Sequence, residues 1–244
     1  MIRIVIAATS ILFLFSCGQR ETQINHLEPI DTTAVLDDRL KDSTKVLVAQ
    51  LPIQFDSTDV LLHAISVVNL KSSDGSFGRI SKDAYGSSDF STGYYTNNDL
   101  TGDFINIVFQ DKEGRERALT DKKMSIKRVT FLQDIYKLTK RSYLLYVVSD
   151  RDTNGDKAFD HLDLEALYIS NLDGTAFTKL TKELHELYDW SLITRERKLY
   201  FSTLEDKNKD GRLTNEDTFH YYVIDFTKDS YSVAEYNPLK VLQK

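Results

Sequence analysis

The sequence LYISNLDGTAFTKLT, residues 167–181, consists of a short apolar strand, an Asp-Gly turn and a second strand that ends in Leu-Thr. Glycine accepts the positive φ that tight hairpin turns require, so Gly174 predicts a β-hairpin. Residues 104–120 carry the same pattern earlier in the chain, with a Glu-Gly turn at Gly114. The two segments therefore predict a repeated β-hairpin.

A second pair of apolar segments alternates with these hairpins. Residues 143–149 and 198–203 have the length and the residue types of strands, and an acidic loop follows each of them. Each loop leads into a further apolar segment, at residues 164–170 and 219–226. Repetition of this kind is typical of propeller blades and related β-meanders. The sequence predicts an all-β fold of antiparallel β-meander repeats, a small or partial β-propeller.

The segments before these repeats are less regular. Strands are expected at residues 46–49 and 60–68, which are rich in branched apolar side chains. Residues 72–101 are rich in Ser, Gly, Asp, Tyr and Asn. This composition leaves two interpretations open, a long irregular loop and a set of short strands.

Around the first acidic loop the chain resembles the TolB-like propeller proteins. In the repeats of that family, a strand that ends in Ser-Asp-Arg-Asp leads to a Leu-Tyr strand, then to Asp-Gly and then to Leu-Thr. Residues 149–152 are Ser-Asp-Arg-Asp, and residues 167–181 supply the remainder. The resemblance covers roughly residues 104–226 and implies propeller-type blades in a chain too short for a full ring. By analogy it also implies binding of a partner.

The acidic loop at residues 206–217, DKNKDGRLTNED, has the spacing of a calcium-binding loop. The EF-hand loop supplies oxygen ligands from its first, third, fifth, seventh, ninth and twelfth positions, with glycine at the sixth, where Gly211 stands here. The residues at the ligand positions are Asp206, Asn208, Asp210, Arg212 through its carbonyl oxygen, Thr214 and Asp217. Aspartate at the last position makes the loop similar to those of dockerins. The sequence predicts that this loop binds calcium.

The flanks of this loop differ from those of EF-hand proteins. Apolar and aromatic segments typical of strands precede and follow it, whereas an EF-hand loop joins two helices. We therefore expect the loop to join two strands. This arrangement argues against the helix-opening mechanism of EF-hand sensors.

The loop that begins at Asp150 matches the calcium pattern less closely. Counted from its first residue, the candidate ligands are Asp150, Asp152, Asn154 and Asp156, with Gly155 at the sixth position. The twelfth position is His161, a poor calcium ligand, so closure requires Asp160 or Asp163 in a shifted loop. For both loops the alternative is an acidic, solvated turn. Crowded carboxylates repel one another unless a cation lies among them, which favours the calcium interpretation.

The first residues resemble a bacterial lipoprotein signal. Arg3 precedes a short apolar run that ends in Leu-Phe-Ser-Cys, and Cys17 is the only cysteine of the chain. The resemblance implies a signal peptide at residues 1–16 and lipidation of Cys17. The polar, charged composition that follows predicts a flexible tether at residues 17–44, and a β-rich, TolB-like domain is expected at residues 45–244. The protein is then expected at the bacterial cell envelope, held on a membrane by its lipid. The alternative is an ordinary secretory signal with an incidental cysteine.

Composition excludes several classes of function. The net charge of −6 argues against nucleic acid and anionic phospholipid as partners and suits cation binding. A single cysteine used for lipidation leaves none for a disulfide, a catalytic thiolate or a cysteine zinc site. Trp190 is expected to pack between blades, with stacking on a sugar at a propeller mouth as the alternative. The histidines show no metal-ligand spacing along the sequence and are expected as surface or partly packed residues: His26, His63, His161, His185 and His220.

These observations predict a binding module more than an enzyme. The expected partner of the tethered domain is an envelope protein or a glycan. The alternative is an envelope hydrolase that draws catalytic acids from residues 72–101 and from the acidic loops. A third possibility is a purely structural lipoprotein. Neither a Gly-x-Ser-x-Gly elbow nor a phosphate-binding glycine loop occurs, and no catalytic residue is assigned.

Overall fold

The computed structural model describes residues 45–69, 94–96, 98–155, 163–207, 214 and 217–242. The expected signal peptide, the lipidation residue Cys17 and the tether lie outside the described residues, as does most of the segment at 72–101. The strands, in chain order, are β1 (Lys45–Ala49), β2 (Ile53–Gln54), β3 (Leu61–Asn69), β4 (Tyr94–Thr96), β5 (Asp99–Phe104), β6 (Asn106–Gln110), β7 (Glu116–Ala118), β8 (Ser125–Phe131), β9 (Tyr143–Ser149), β10 (Ala166–Asn171), β11 (Thr178–Lys179), β12 (His185–Ile193), β13 (Lys198–Glu205), β14 (Thr218–Asp225) and β15 (Ser232–Tyr236). The described part of the chain contains a single α-helix, α1 (Gln133–Thr139).

The strands form three antiparallel sheets. The first sheet has the order β1-β3-β6-β7, with β2 paired to β3. The second has the order β11-β10-β9-β8-β5-β4, and the third has the order β12-β13-β14-β15. Every pairing between these strands is antiparallel. The expectation of an all-β, antiparallel fold is confirmed.

The repeated hairpin is present twice and has the same turn both times. Strands β6 and β7 pair around Gly114, and β10 and β11 pair around Gly174, with φ angles of 80° and 76° at the two glycines. The Gly114 amide donates to the carbonyl of Asp111 at 2.9 Å, and the Gly174 amide donates to that of Asn171 at 3.0 Å. Both turns therefore need the left-handed conformation that glycine adopts without strain.

The central strand of the second sheet, β9, is buried along all of its 7 residues. Because side chains alternate across a strand, Leu144, Tyr146 and Val148 enter the core shared with the first sheet. Tyr143, Leu145 and Val147 enter the core shared with the third sheet. The second sheet is thus the middle layer of the domain, and its continuous apolar sequence follows from burial on both faces.

The apolar run at residues 104–109, which the sequence predicts as one strand, is divided between two sheets. Phe104 ends β5 in the second sheet, and Asn106 begins β6 in the first. Ile105 lies between them, and its amide donates to the carbonyl of Ile65 at 2.8 Å. Phe104 and Ile107 are both fully buried in the core between these sheets, which explains why the run is continuous in sequence.

The two later sheets contain four-stranded meanders in chain order, β8 to β11 in the second sheet and β12 to β15 in the third. Across the described ranges these sheets do not close into a barrel or a propeller ring. No helix within the same ranges has both the length and the apolar character needed to cross a membrane.

Candidate functional site

Both acidic loops join neighbouring antiparallel strands, as expected. The first connects β9 to β10, and the second connects β13 to β14. Helices do not flank either loop, so the EF-hand opening motion has no structural counterpart here. Five of the predicted ligands lie outside the described residues, namely Asp156, Asp160, Asn208, Asp210 and Arg212.

The two loops close through the same hydrogen bond. In the first, the amide of Thr153 donates to Oδ1 of Asp163 at 2.7 Å. In the second, the amide of Lys207 donates to Oδ1 of Asp217 at 3.0 Å. The spacing between donor and acceptor is 10 residues in both cases. In each loop, one aspartate near the end therefore accepts a hydrogen bond from a backbone amide near the start.

This shared closure aligns the loops with each other. Asp152 corresponds to Asp206, and both loops then begin with the pattern Asp-x-Asn-x-Asp. Asp163 corresponds to Asp217, so the twelfth position of the first loop holds an aspartate and not His161. The first loop therefore has the shifted register that the sequence left open, in which Asp163 closes the first loop as Asp217 closes the second.

Asp150 lies outside the aligned loop and belongs to an ion-pair network on the second sheet. Its Oδ2 accepts hydrogen bonds from Nζ of Lys179 and from the hydroxyl of Tyr168, both at 2.6 Å. Burial opposes ionisation, but these two hydrogen bonds prevail and lower the pKa of the Asp150 carboxyl. Asp150 thus fixes the start of the loop to β10 and β11.

Two of the loop carboxylates are almost fully buried. Asp163 and Asp206 are each only 4% exposed. Burying an ionised carboxylate is costly unless hydrogen bonds or a cation compensate it. Asp163 accepts hydrogen bonds from both the amide and the hydroxyl of Thr153. For Asp217, backbone hydrogen bonds from Thr214 and Lys207 lower the pKa of the carboxyl, which keeps the closing aspartate of the second loop anionic.

The structure also brings together three residues that the sequence analysis did not combine. His185 on β12, Glu205 on β13 and His220 on β14 place one ligand atom each within 4.8 Å of the others. We call these three residues the His–Glu–His cluster. His185 lies directly opposite Glu205 in the sheet, and Nε2 of His220 lies 2.9 Å from Oε2 of Glu205.

A second layer of hydrogen bonds orients both imidazoles of this cluster. Nδ1 of His185 lies 2.9 Å from Oγ1 of Thr203. Nδ1 of His220 lies 3.0 Å from Oε1 of Glu235 on β15. Burial, and then the neighbouring His220, lower the pKa of His185. Burial acts the same way on His220, but hydrogen bonds to Glu235 and Glu205 prevail and raise its pKa.

One sequence signal could have revealed the cluster. The β13–β14 hairpin around the acidic loop pairs Thr203 with His220 and Glu205 with Thr218. Residues spaced two apart share a face of a strand, so Glu205 and His220 are diagonal neighbours in such a hairpin. His185 has no comparable signal, because β12 was not recognised in the sequence. Trp190 on the same strand packs against the core between the second and third sheets, in line with the expected packing role.

The opposite face of the third sheet carries aromatic rings that are exposed or half-buried. The ring centroids of Tyr188 and Phe219 lie 5.0 Å apart, and those of Phe219 and Tyr221 lie 6.4 Å apart. Tyr236 continues the series, 6.1 Å from Tyr221 and 5.6 Å from Tyr200. We call these five residues the aromatic row. It crosses all four strands of the sheet.

Comparison of the chain with protein-family models and with curated proteins gave no match.

Proposed function

We propose that this protein is a lipoprotein of the bacterial cell envelope, anchored through Cys17, whose calcium-stabilised, propeller-like β domain binds a protein partner. The observation that carries the binding role is the aromatic row. The exposed fractions of Tyr188, Phe219 and Tyr236 are 66%, 42% and 37%. Contiguous exposed apolar surface of this kind marks interaction sites in soluble domains.

The composition of the row suits a protein partner. Tyrosine is enriched at the centre of protein interfaces, because its ring supplies contact area while its hydroxyl tolerates water. The rings lie on neighbouring strands of one hydrogen-bonded sheet, so little backbone ordering is needed on binding. The acidic net charge of the whole chain, −6, disfavours nucleic acid and anionic lipid as partners.

Calcium fits the two acidic loops by the chemistry of their donors. Every side-chain donor predicted for the aligned loops is a carboxylate, amide or hydroxyl oxygen, the ligand type that calcium prefers. The matching closures at Asp163 and Asp217 support a common role for the loops. Calcium bound there would neutralise crowded carboxylates and stabilise the hairpins by mass action.

The propeller-like character of the domain is supported by its repeats. Two four-stranded antiparallel meanders follow one another in the chain, and the same glycine turn closes two hairpins. These features accord with the sequence resemblance to TolB-like blades. The lipid anchor rests on the sequence before the described residues.

Photo-crosslinking in the intact envelope tests the binding role. A photoreactive amino acid at Tyr188 should give discrete protein adducts that disappear when Phe219→Ala is added. Lys112 is the matched control position, since its side chain is 72% exposed and lies outside the aromatic row. The proposal is contradicted if adducts form equally from Lys112, or if the Tyr188 adducts persist when Phe219→Ala is added. If the purified protein binds envelope glycan and no protein adduct forms, the partner is a glycan and not a protein.

One observation favours the hydrolase alternative. The amide of Glu165 donates to Oε2 of Glu186 at 2.6 Å, which holds two acidic residues side by side. Burial, together with the charge of Glu165, raises the pKa of Glu186 to about 7. A carboxylic acid that keeps its proton near neutral pH can serve as the general acid of a glycosidase. Release of soluble sugar from envelope glycan by the wild type, but not by Glu186→Gln, would establish this function. If neither protein releases sugar, the hydrolase alternative is rejected.

A further inference from the structure

We propose that the His–Glu–His cluster binds a divalent transition-metal ion, with Zn²⁺ as the ion that fits best. This site is separate from the calcium loops and uses different donor chemistry. Two imidazoles and one carboxylate form a donor set that zinc accepts, whereas calcium prefers oxygen ligands alone.

The distances within the cluster suit such an ion. The three candidate ligand atoms lie within 4.8 Å of one another. Zinc bonds of about 2.0–2.2 Å in tetrahedral geometry separate ligand atoms by roughly 3.4 Å. Nε2 of His220 and Oε2 of Glu205 lie 2.9 Å apart, so an ion would require these two atoms to separate slightly. Glu205, with a side chain that is 39% accessible, is the more exposed of the two. The side chains project from three adjacent strands of one sheet, so the backbone holds them in place.

The hydrogen bonds around the cluster select the nitrogen atoms that face the ion. His220 contacts Glu235 through Nδ1 and Glu205 through Nε2. A metal ion that displaces the proton from Nε2 would leave the remaining proton on Nδ1, shared with Glu235, and the Nε2 lone pair directed towards the ion. This is the carboxylate–histidine–metal arrangement that fixes the tautomer of many zinc ligands. Glu235 is therefore a positioning residue and not a ligand.

His185 is prepared in the same manner. Its Nδ1 lies 2.9 Å from the hydroxyl oxygen of Thr203, which can accept a hydrogen bond from Nδ1–H. The ring lies 4.8 Å from that of His220, between centroids, so both imidazoles border one space. The ion would reach the cluster from the solvent side of Glu205 and His220, whose side chains are 39% and 20% exposed.

Without an ion, the same groups form a hydrogen-bonded triad in which His220 bridges two glutamates. A triad of this kind needs only one histidine. His185 takes no part in that triad and contacts Thr203 instead. A metal ion would use both histidines as ligands, and it would explain why the Nδ1 atoms of His185 and His220 contact separate partners, Thr203 and Glu235.

Titration of the full-length chain with Co²⁺ and Zn²⁺ in the presence of excess calcium tests this site. Tetrahedral Co²⁺ absorbs visible light strongly, so one equivalent should produce a band that Zn²⁺ then displaces. His185→Gln and His220→Gln should each abolish the band, while Glu235→Gln should weaken affinity by about 10- to 100-fold. His63→Gln, a remote histidine on β3, serves as the matched control and should bind as the wild type does.

The outcomes separate the alternatives. Circular dichroism without metal verifies that each variant is folded, and an Asp217→Asn variant checks that the calcium loop is not the cobalt site. A band that survives both cluster variants, or that His63→Gln or Asp217→Asn removes, overturns the proposal. Absence of a band and of Zn²⁺ binding at micromolar concentration in the wild type also overturns it.

Discussion

Gly174, at the turn of the β10–β11 hairpin, lies directly against the ring of Phe109 on β6. A Cβ atom added at Gly174 would overlap this ring, with Cδ2 of Phe109 only 2.7 Å away. Arg117 on β7 reinforces the contact through a hydrogen bond from Nη1 to the carbonyl of Asp173 at 3.2 Å. The two repeated hairpins are therefore packed on each other, and the first and second sheets meet at this point.

Gly174→Ala is expected to destabilise the domain more than Gly114→Ala. Both glycines have positive φ, so each substitution costs roughly 1 kcal/mol in backbone conformation. Only Gly174 adds the steric overlap with Phe109, which contributes about 1–3 kcal/mol more. Urea denaturation of the two variants measures the difference. Equal losses of stability would mean that the two hairpins do not pack as described.

Calcium is expected to raise the melting temperature of the full-length protein, whereas magnesium at the same concentration should have little effect. Ligand at about 100 times its Kd stabilises a protein by about 2.7 kcal/mol. Asp206→Asn should reduce the calcium response, because the first ligand of the second loop loses its charge. Asp229→Asn, at an exposed turn, is the control. No response up to millimolar calcium would leave the loops as acidic turns.

The common register of the loops predicts different phenotypes for Asp163 and Asp150. Asp163→Asn should diminish the calcium response of the first loop, since Asp163 is the counterpart of Asp217. Asp150→Asn should leave that response in place but lower the free energy of unfolding by about 1–3 kcal/mol, because Lys179 loses its charged partner. Calcium titrations monitored by thermal unfolding distinguish the two. If Asp150→Asn lost the calcium response and Asp163→Asn kept it, the calcium loop would instead begin at Asp150.

The pH dependence of stability should contain a contribution from Glu186. Its pKa is raised from 4.5 to about 7, with burial as the main cause. Between these values the folded state keeps a proton that the unfolded state releases, so stability falls as pH rises through this window. The loss is complete above about pH 7, where both states are ionised.

Unfolding of wild type and Glu186→Gln between pH 4 and 8, in chelator, measures this contribution. The variant has no ionisable group at this position, so its stability should fall less steeply than that of the wild type. Glu196→Gln, at an exposed position, is the matched control and should follow the wild type. Parallel pH profiles for all three proteins would show that Glu186 titrates normally in the folded state.

The sequence predicted the features that depend on local patterns. Residues 143–149 coincide with β9, because a strand buried on both faces leaves a continuous apolar signal. Gly114 and Gly174 marked two hairpins, because few residues other than glycine accept their φ angles. Strand flanks of the acidic loops were likewise evident from aromatic and β-branched residues.

Features that depend on long-range contacts could not be predicted in this way. Ile105 marks a change of sheet inside one apolar run, and hydrophobicity alone does not distinguish this from a longer strand. The His–Glu–His cluster combines residues from three strands, and the one that carries His185, β12, was not recognised in the sequence. The register of the first acidic loop required the position of Asp163 relative to Thr153.

Complete burial of β9 has a consequence for how the domain unfolds. Its side chains contribute to both large cores, so loss of either core exposes one face of the same strand. Partial melting of an outer sheet would therefore weaken the packing of the opposite one, which favours a single cooperative transition. In hydrogen exchange, the amides of Leu145 and Val147 should be among the last to exchange and should report the global free energy of unfolding.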